Sequence, residues 1–191
     1  MNQLGKWGNS WIGSWIGSAL LLTLADCAST SHSPLPTVAS VDLDRYLGTW
    51  YQIALIPNRF QSMCVADTQA EYARDEDQIR VTNRCRKENG EMESAIGVAK
   101  VVEGSSNTKL RVSFFRPFYG DYWVLALDPD YRWVLIGEPS RSYGWVLART
   151  PTLDQAVLDK LLDQIGALEG VRQTSTSIIL SKRRSEEHTS E

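Results

Sequence analysis

The strongest structural signal in the chain lies in Leu47-Gly48-Thr49-Trp50-Tyr51-Gln52-Ile53-Ala54. The residues just before it, Val41 to Tyr46, read as a short turn of helix. Gly48 then lets the chain change direction, because glycine tolerates backbone angles that other residues avoid. Residues 49–54 combine β-branched and aromatic side chains, which predicts a half-buried β-strand.

Alternating apolar and polar side chains predict further strands along the chain. The segments that carry this pattern, or that are apolar throughout, are 65–73, 78–86, 92–102, 109–114, 122–127 and 133–136. Alternation marks a strand with one buried face and one wet face. The last two segments are apolar on both faces, so something must cover their outer side. The buried-face residues that we assign to a ligand-binding interior are Ala70, Tyr72, Val81, Ala95, Gly97, Ala99, Val112, Phe114 and Trp123.

A helix that could provide this cover follows Pro151. Thr152-Leu153-Asp154-Gln155 reads as a capping box. An apolar helical stripe then runs through Leu153, Val157, Leu161, Ile165 and Leu168, and a last strand is predicted over residues 176–180. Short consecutive strands followed by one helix predict an all-β fold over residues 41–183. This fold is an eight-stranded antiparallel up-and-down barrel with one C-terminal α-helix packed outside.

The N-terminal region is predicted to direct the chain to secretion and to tether the folded domain to a membrane. Residues 1–26 read as a secretory signal peptide with a broken apolar run. The run ends in Leu22-Thr23-Leu24-Ala25-Asp26-Cys27, which resembles a bacterial lipobox and predicts a lipid anchor on Cys27. Asp26 departs from that pattern, so ordinary signal cleavage without lipidation is the alternative. Residues 27–40 are rich in Ser, Thr and Pro, which predicts a flexible tether.

Charge and motifs argue against a nucleic-acid partner and against an enzyme. The net charge of -3 gives no basic footprint for nucleic acid. The sequence has no phosphate-binding glycine-rich loop, no nucleophile elbow and no metal-ligand spacing. Its two histidines lie in the tether and in residues 184–191, a stretch without structural pattern that we interpret as a non-native tail. We therefore predict no catalytic residue, no metal and no cofactor.

The cysteines Cys64 and Cys85 are predicted to form a disulfide. If the hairpin between their strands turns at Arg74-Asp75, Cys64 faces Cys85. Directly opposed positions bring Cβ atoms about 4.5–5.5 Å apart, which suits a disulfide, and a secreted chain favours oxidation. A reactive thiol inside the barrel, and hence a thiol-dependent enzyme, is the alternative.

Four loops are predicted to meet at one mouth, because alternate loops of an up-and-down barrel lie at the same end. These loops are 57–63, 87–91, 116–120 and 138–143. The side chains that we assign to the rim are Phe60, Phe118, Tyr119 and Tyr143, beside Arg59, Arg116 and Arg141. Apolar rings beside arginines suit a ligand with an acyl chain and an anionic head. A barrel filled by its own side chains, with a structural or interaction role, is the alternative.

Several motifs in this order resemble the lipocalin family, and in particular its bacterial outer-membrane lipoprotein branch. They are Tyr46-Leu47-Gly48-Thr49-Trp50-Tyr51, then Ser113-Phe114-Phe115-Arg116-Pro117-Phe118-Tyr119-Gly120 followed by Asp121-Tyr122-Trp123, and finally Val146-Leu147-Ala148-Arg149-Thr150-Pro151. The resemblance extends over the whole predicted barrel.

The resemblance implies a function that the other observations leave open. It implies a barrel anchored by lipid to the outer membrane, facing the periplasm, that binds fatty acids or lysophospholipids for storage, transport or envelope maintenance. The resemblance to the bacterial branch also suggests a homodimer as one option for assembly. Arg149 is expected to lie across the Trp50 indole and to reach carbonyls of the N-terminal turn. The residues to which the resemblance gives structural roles are Gly48, Trp50, Asp121, Tyr122 and Arg149.

Overall fold

The computed structural model describes residues 35–169 and 179–180. A short helix α1 (Leu43–Tyr46) precedes eight strands, which are β1 (Gly48–Leu55), β2 (Ala66–Asp75), β3 (Gln78–Arg86), β4 (Met92–Val101), β5 (Lys109–Phe115), β6 (Phe118–Leu127), β7 (Trp133–Gly137) and β8 (Gly144–Ala148). A 3₁₀ turn (Arg59–Gln61) separates β1 from β2, and α2 (Gln155–Glu169) and β9 (Ile179–Leu180) follow β8. The predicted signal peptide, Cys27, most of the tether and residues 184–191 lie outside the described residues.

The eight strands form one closed antiparallel barrel. Each strand from β2 to β7 pairs with the next, β8 pairs with β1, and β1 closes the ring by pairing with β2. The first half of β1 lies along β2 and its second half along β8. The structure therefore confirms the predicted eight-stranded barrel. Of the strand predicted over 176–180, the described residues Ile179 and Leu180 pair with the end of β1.

Apolar side chains pack in two clusters, one on each side of the barrel wall. The inner cluster fills part of the barrel, and the outer cluster lies between α2 and the outer faces of β1, β7 and β8. Leu161 and Ile165 of α2 are fully buried in the outer cluster with Leu135, Val146 and Ala148. The helix therefore provides the cover that the wholly apolar strands required, as the sequence predicts.

The N-cap of α2 is Asp154, and the capping box predicted at Thr152 is wrong. Asp154 Oδ1 accepts hydrogen bonds from the backbone N–H groups of Ala156 (3.0 Å) and Val157 (3.3 Å). The helix begins at Gln155, directly after the aspartate. A carboxylate at this position also interacts favourably with the helix dipole.

The β2–β3 hairpin turns at Glu76-Asp77, later than predicted, with Asp75 opposite Gln78. Glu76 has φ +52°, and two-residue hairpin turns need a positive φ at their first central residue. Tyr72 consequently lies opposite Val81 instead of Asp77. This shift is even, so the side chains of residues 69–75 and of their partners on β3 keep their predicted faces.

The Cys64–Cys85 disulfide is present, with Cα atoms 5.4 Å apart. The register that predicted it is wrong, so another feature brings the two cysteines together. A bulge interrupts the start of β2 between Ala66 and Gln69, and the backbone N–H of Val65 donates to the oxygen of Arg86. The segment just before β2 is thereby held against the end of β3, where Cys85 lies.

Candidate functional site

Arg149, directly after β8, seals the closed end of the barrel. Its guanidinium carbon lies 3.9 Å from the centroid of the Trp50 ring. Its nitrogens donate to four backbone oxygens, those of Thr49 (2.9 Å), Arg45 (2.5 Å), Tyr46 (3.2 Å) and Leu47 (2.9 Å). Burial lowers the pKa of Arg149, while the four carbonyl dipoles favour its charged form. Gly48 has φ +94°, and a Cβ there would lie 3.4 Å from Arg149 Nη1.

Three buried tyrosines, Tyr46, Tyr72 and Tyr122, form a hydrogen-bonded layer above this seal, which we call the tyrosine layer. Tyr122 Oη lies 2.6 Å from Tyr46 Oη and 2.9 Å from Tyr72 Oη. Burial raises the pKa of Tyr72 to about 12 and raises the pKa of Tyr46 and of Tyr122 well above the ordinary value. All three phenols are therefore neutral at physiological pH. Val81 lies opposite Tyr72 and is buried in the same packed region.

Small and polar residues line the inner wall between the tyrosine layer and the mouth. Trp50, Ala70, Asn83 and Ala95 lie opposite one another across β1, β2, β3 and β4. Ala95 is exposed, and it shares the inward face of β4 with the buried Ala99 because the β3–β4 pairing is regular. Within this row Trp50 and Ala70 are buried in the inner cluster, so the wall is open only at its Ala95 end.

The predicted open face at Ala95, Gly97 and Ala99 is open only at Ala95. A Cβ on Gly97 would lie 2.8 Å from Phe114 Cδ1, so the Phe114 ring already covers this glycine. Ala99 belongs to the inner cluster, and Val112 and Phe114 pack against that cluster. The expectation that small residues leave space along the whole face is therefore wrong for Gly97 and Ala99, because the neighbouring strand fills the gap.

An aromatic stack lies at the mouth beside β8. The Tyr143 ring stacks on Trp145 with centroids 6.2 Å apart and lies 5.8 Å from the Phe60 ring. Trp145 Nε1 donates to Gln61 Oε1 (2.8 Å), and Gln61 Nε2 donates to Gln52 Oε1 (2.8 Å). The structure thus brings the predicted residues Phe60 and Tyr143 together and holds them with a network of side-chain hydrogen bonds.

Sequence reasoning missed Trp145, Gln52 and Gln61 as members of this mouth. The signal was present for Trp145, because alternate residues of β8 share a face and Leu147 packs in the inner cluster. Gln52 follows from the inward Trp50 by the same rule. Gln61 lies in the 3₁₀ turn, where no alternation applies, so its part in the network depends on tertiary structure.

Glu138 orders the β7–β8 loop that carries Tyr143. Its carboxylate accepts hydrogen bonds from the backbone N–H groups of Ser140 (2.7 Å), Ser142 (2.6 Å) and Tyr143 (3.1 Å), and from Ser140 Oγ (2.6 Å). Glu138 is itself buried. Hydrogen bonds to this one carboxylate, rather than regular backbone pairing, thus hold the loop in its position.

The β5–β6 hairpin carries the predicted rim residues Phe118 and Tyr119 at its exposed tip. Phe118 is 78% exposed. Arg116 Nη2 donates to Gln78 Oε1 (3.4 Å) on the first residue of β3, and the Tyr119 oxygen accepts from Arg111 Nη2 (3.3 Å). A register shift in β5 follows Val112, whereas β6 alternates regularly from Phe118. Tyr119 therefore shares the outer face of Asp121 and Trp123, and Phe118 shares the face of Gly120 and Tyr122 at the mouth.

Trp123 lies on the outer wall, and the prediction that it faces inward is wrong. It is directly opposite Lys109, whose Nζ lies 4.0 Å from the Trp123 ring centroid. Its neighbour Tyr122 points inward, and adjacent residues of a strand face opposite sides. Asp121 shares the outer face with Trp123, and its Oδ1 lies 3.5 Å from Arg111 Nε.

Other kinds of site find little support in the part of the chain that the structure describes. There, no group of three His, Cys, Asp or Glu side chains could hold a metal ion. Over residues 35–169 and 179–180, no helix is long and apolar enough to cross a membrane. The Cys64–Cys85 bond occupies both sulfur atoms on which the thiol-enzyme hypothesis depended.

Comparison with known proteins assigns the family. The family model of the lipocalin-like domain matches residues 41–173 of this chain. The chain is 38% identical over 146 residues to the outer membrane lipoprotein Blc of Citrobacter freundii, covering 76% of this chain and 82% of that protein. The chain is a lipocalin. This lipocalin is also 38% identical over 144 residues to temperature-induced lipocalin-1 of Arabidopsis thaliana, covering 71% of this chain and 77% of the plant protein.

Solved structures agree on the fold of this lipocalin. Insecticyanin from the tobacco hornworm Manduca sexta superposes with a TM-score of 0.62 at 21% identity, covering 81% of this chain and 86% of insecticyanin. That likeness concerns the fold alone. Membership of the lipocalin family, together with the Blc relatives, supports the binding of small hydrophobic ligands as the general function of this lipocalin.

Proposed function

We propose that this lipocalin binds fatty acids or lysophospholipids in the half of its barrel nearer the mouth, and that it stores or transports them for envelope maintenance. The observation that carries the proposal is the open part of the inner wall at the exposed Ala95 on β4 and at Gly120 on β6, where an added Cβ would meet only the Val112 oxygen at 4.0 Å. An acyl chain along this wall would remove apolar surface from water, and each buried methylene contributes about 0.8 kcal/mol. The exposed Arg59 beside Phe60 favours an anionic head group, although an exposed cation adds little affinity.

Long-chain fatty acids and lysophospholipids are expected to bind with micromolar or tighter affinity. Shortening the chain by two methylenes should weaken binding by about tenfold or more, because burial scales with chain length. Tryptophan fluorescence provides the readout, and we expect Trp145 at the mouth to supply most of the quenching. Trp145→Phe should therefore lose most of the signal, whereas Trp123→Phe on the outer wall should keep it.

Two neighbouring positions on β4 give the matched control for this experiment. Ala95 faces inward and Ser94 faces outward, and both are exposed. Ala95→Trp is expected to abolish binding because the indole occupies the space of the acyl chain, whereas Ser94→Trp should bind normally. Circular dichroism checks that both variants remain folded. Affinity that does not depend on chain length, or equal binding by the two variants, contradicts the proposal.

Cys27 is proposed to carry a lipid anchor that holds the barrel at the outer membrane, on the periplasmic side. The apolar run before Cys27 supports this, as does the description of the Citrobacter freundii relative as an outer membrane lipoprotein. Cys27→Ser is expected to move the protein from the membrane fraction to the soluble periplasmic fraction, because the acylated thiol is lost. A wild-type protein that already fractionates as soluble would show that Asp26 prevents processing and that the anchor is absent.

A further inference from the structure

Hydrogen bonding leaves one proton of the tyrosine layer without a partner inside the layer. The three hydroxyl groups carry three protons, and two hydrogen bonds join them, Tyr46 with Tyr122 and Tyr72 with Tyr122. Each bond uses one proton, because a hydroxyl donates once. Whichever way the two bonds run, one hydroxyl therefore keeps a proton to donate. A buried donor without an acceptor is unfavourable, so an acceptor in the space beside the layer would stabilise it.

The space beside the tyrosine layer lies on its mouth side, next to Gly120 on β6, where an added Cβ would meet only the Val112 oxygen at 4.0 Å. Tyr72 and Tyr122 are 5% and 8% exposed. On the same faces of β2 and β6, the next residues toward the mouth are Ala70 and Gly120. These two strands therefore offer only small groups between the hydroxyls and the space above them. A ligand that fills this space reaches the layer with its inner end.

We propose that the tyrosine layer is a hydrogen-bonding floor of the ligand site, which selects acyl chains that carry a neutral oxygen at their distal end. This inference rests on the proposed acyl-lipid function and adds the chemistry of the buried end. Such ligands include chains with a terminal or near-terminal hydroxyl or carbonyl group. The floor offers a neutral donor, so it recognises the oxygen by a hydrogen bond and not by charge.

Charge fixes the orientation of the ligand. An ionised carboxylate is far more unfavourable to bury than a hydroxyl, so the head group stays at the mouth, near water and Arg59. Arg149 offers no alternative at the other end, because it already stacks on Trp50 and bonds four carbonyls. From Phe118 at the mouth end of β6 to Tyr122 the strand advances only about 13 Å, which is shorter than an extended long acyl chain. The distal end therefore meets the tyrosine layer.

The test compares two acids of equal length that differ only at the distal end. These are ω-hydroxyhexadecanoic acid and heptadecanoic acid, in which a methyl group replaces the hydroxyl. The two affinities are measured for the wild type and for the Tyr72→Phe/Tyr122→Phe double variant. We expect the preference for the methyl acid over the hydroxy acid to be at least about tenfold greater in the double variant, because its floor can no longer pair the hydroxyl. The Tyr122→Phe single variant should shift the preference in the same direction. It replaces the double variant in the comparison if the double variant does not fold.

The possible failures have different meanings. If the hydroxyl weakens binding equally in the wild type and in the variants, the tyrosine layer does not reach the ligand and the inference is overturned, while the acyl-lipid function stands. If neither acid binds the wild type, the acyl-lipid function is itself wrong, and the floor is overturned with it. A purely structural role of the tyrosines would lower stability but leave the ratio of the two affinities unchanged.

Discussion

We expect Arg149→Ala to lower the free energy of unfolding by about 3 kcal/mol. The substitution removes a cation from the face of Trp50 and leaves carbonyl oxygens of α1 and β1 without their donor. The last carbonyls of a helix have no partner within it, so the guanidinium supplies bonds that the backbone cannot. Hydrogen bonds from a charged donor are also stronger than neutral ones. Urea denaturation followed by circular dichroism measures the change.

Two further variants separate the contributions of Arg149. Arg149→Lys keeps the charge but loses the planar fork, so it should recover only part of the lost stability. Arg111→Ala removes an exposed arginine that pairs with Asp121 across 3.5 Å, and it should cost at most about 1 kcal/mol. Unchanged stability of Arg149→Ala together with lost ligand binding would assign Arg149 to the ligand site instead of to the closed end.

Alternation in the sequence predicted which residues share a face, although it did not predict their cross-strand partners. The turn at Glu76-Asp77 moves Tyr72 from Asp77 to Val81. Because side chains alternate with a period of two, this even error left the inward faces unchanged from Gln69 onward. The predictions of eight strands, a barrel and a covering helix therefore remained correct although the predicted register was wrong. The same error does change which residues are predicted to face one another across the two strands.

In a strand that is apolar on both faces, alternation cannot show which face points inward. Tyr122 and Trp123 are adjacent and aromatic, and only their pairing with Leu110 and Lys109 decides which ring points inward. The mouth was harder still to predict. The contacts that shape it, Trp145 with Gln61 and Arg116 with Gln78, join residues far apart in sequence. No local pattern encodes them, so alternation could not predict how the loops at the mouth meet.

Gly97→Ala is expected to destabilise the barrel by about 1–3 kcal/mol. A Cβ at this position would lie 2.6 Å from the Ser113 backbone oxygen and 2.8 Å from Phe114 Cδ1. The oxygen belongs to the neighbouring strand β5, which pairs with β4 at Val98 and Ser113, so it cannot move without shifting that strand. Protein interiors are packed too closely to absorb such a displacement without strain. Thermal and urea denaturation measure the loss.

Gly120→Ala provides the matched control on the next strand but one. A Cβ there would meet only the Val112 oxygen, at 4.0 Å, so the methyl group should fit without strain. Alanine also loses less conformational freedom on folding than glycine, which favours Gly120→Ala by up to about 1 kcal/mol. The two variants make the same chemical change with opposite expected signs. If Gly97→Ala is as stable as the wild type, the ring of Phe114 does not rest on Gly97, and the inner wall is more open there than the structure indicates.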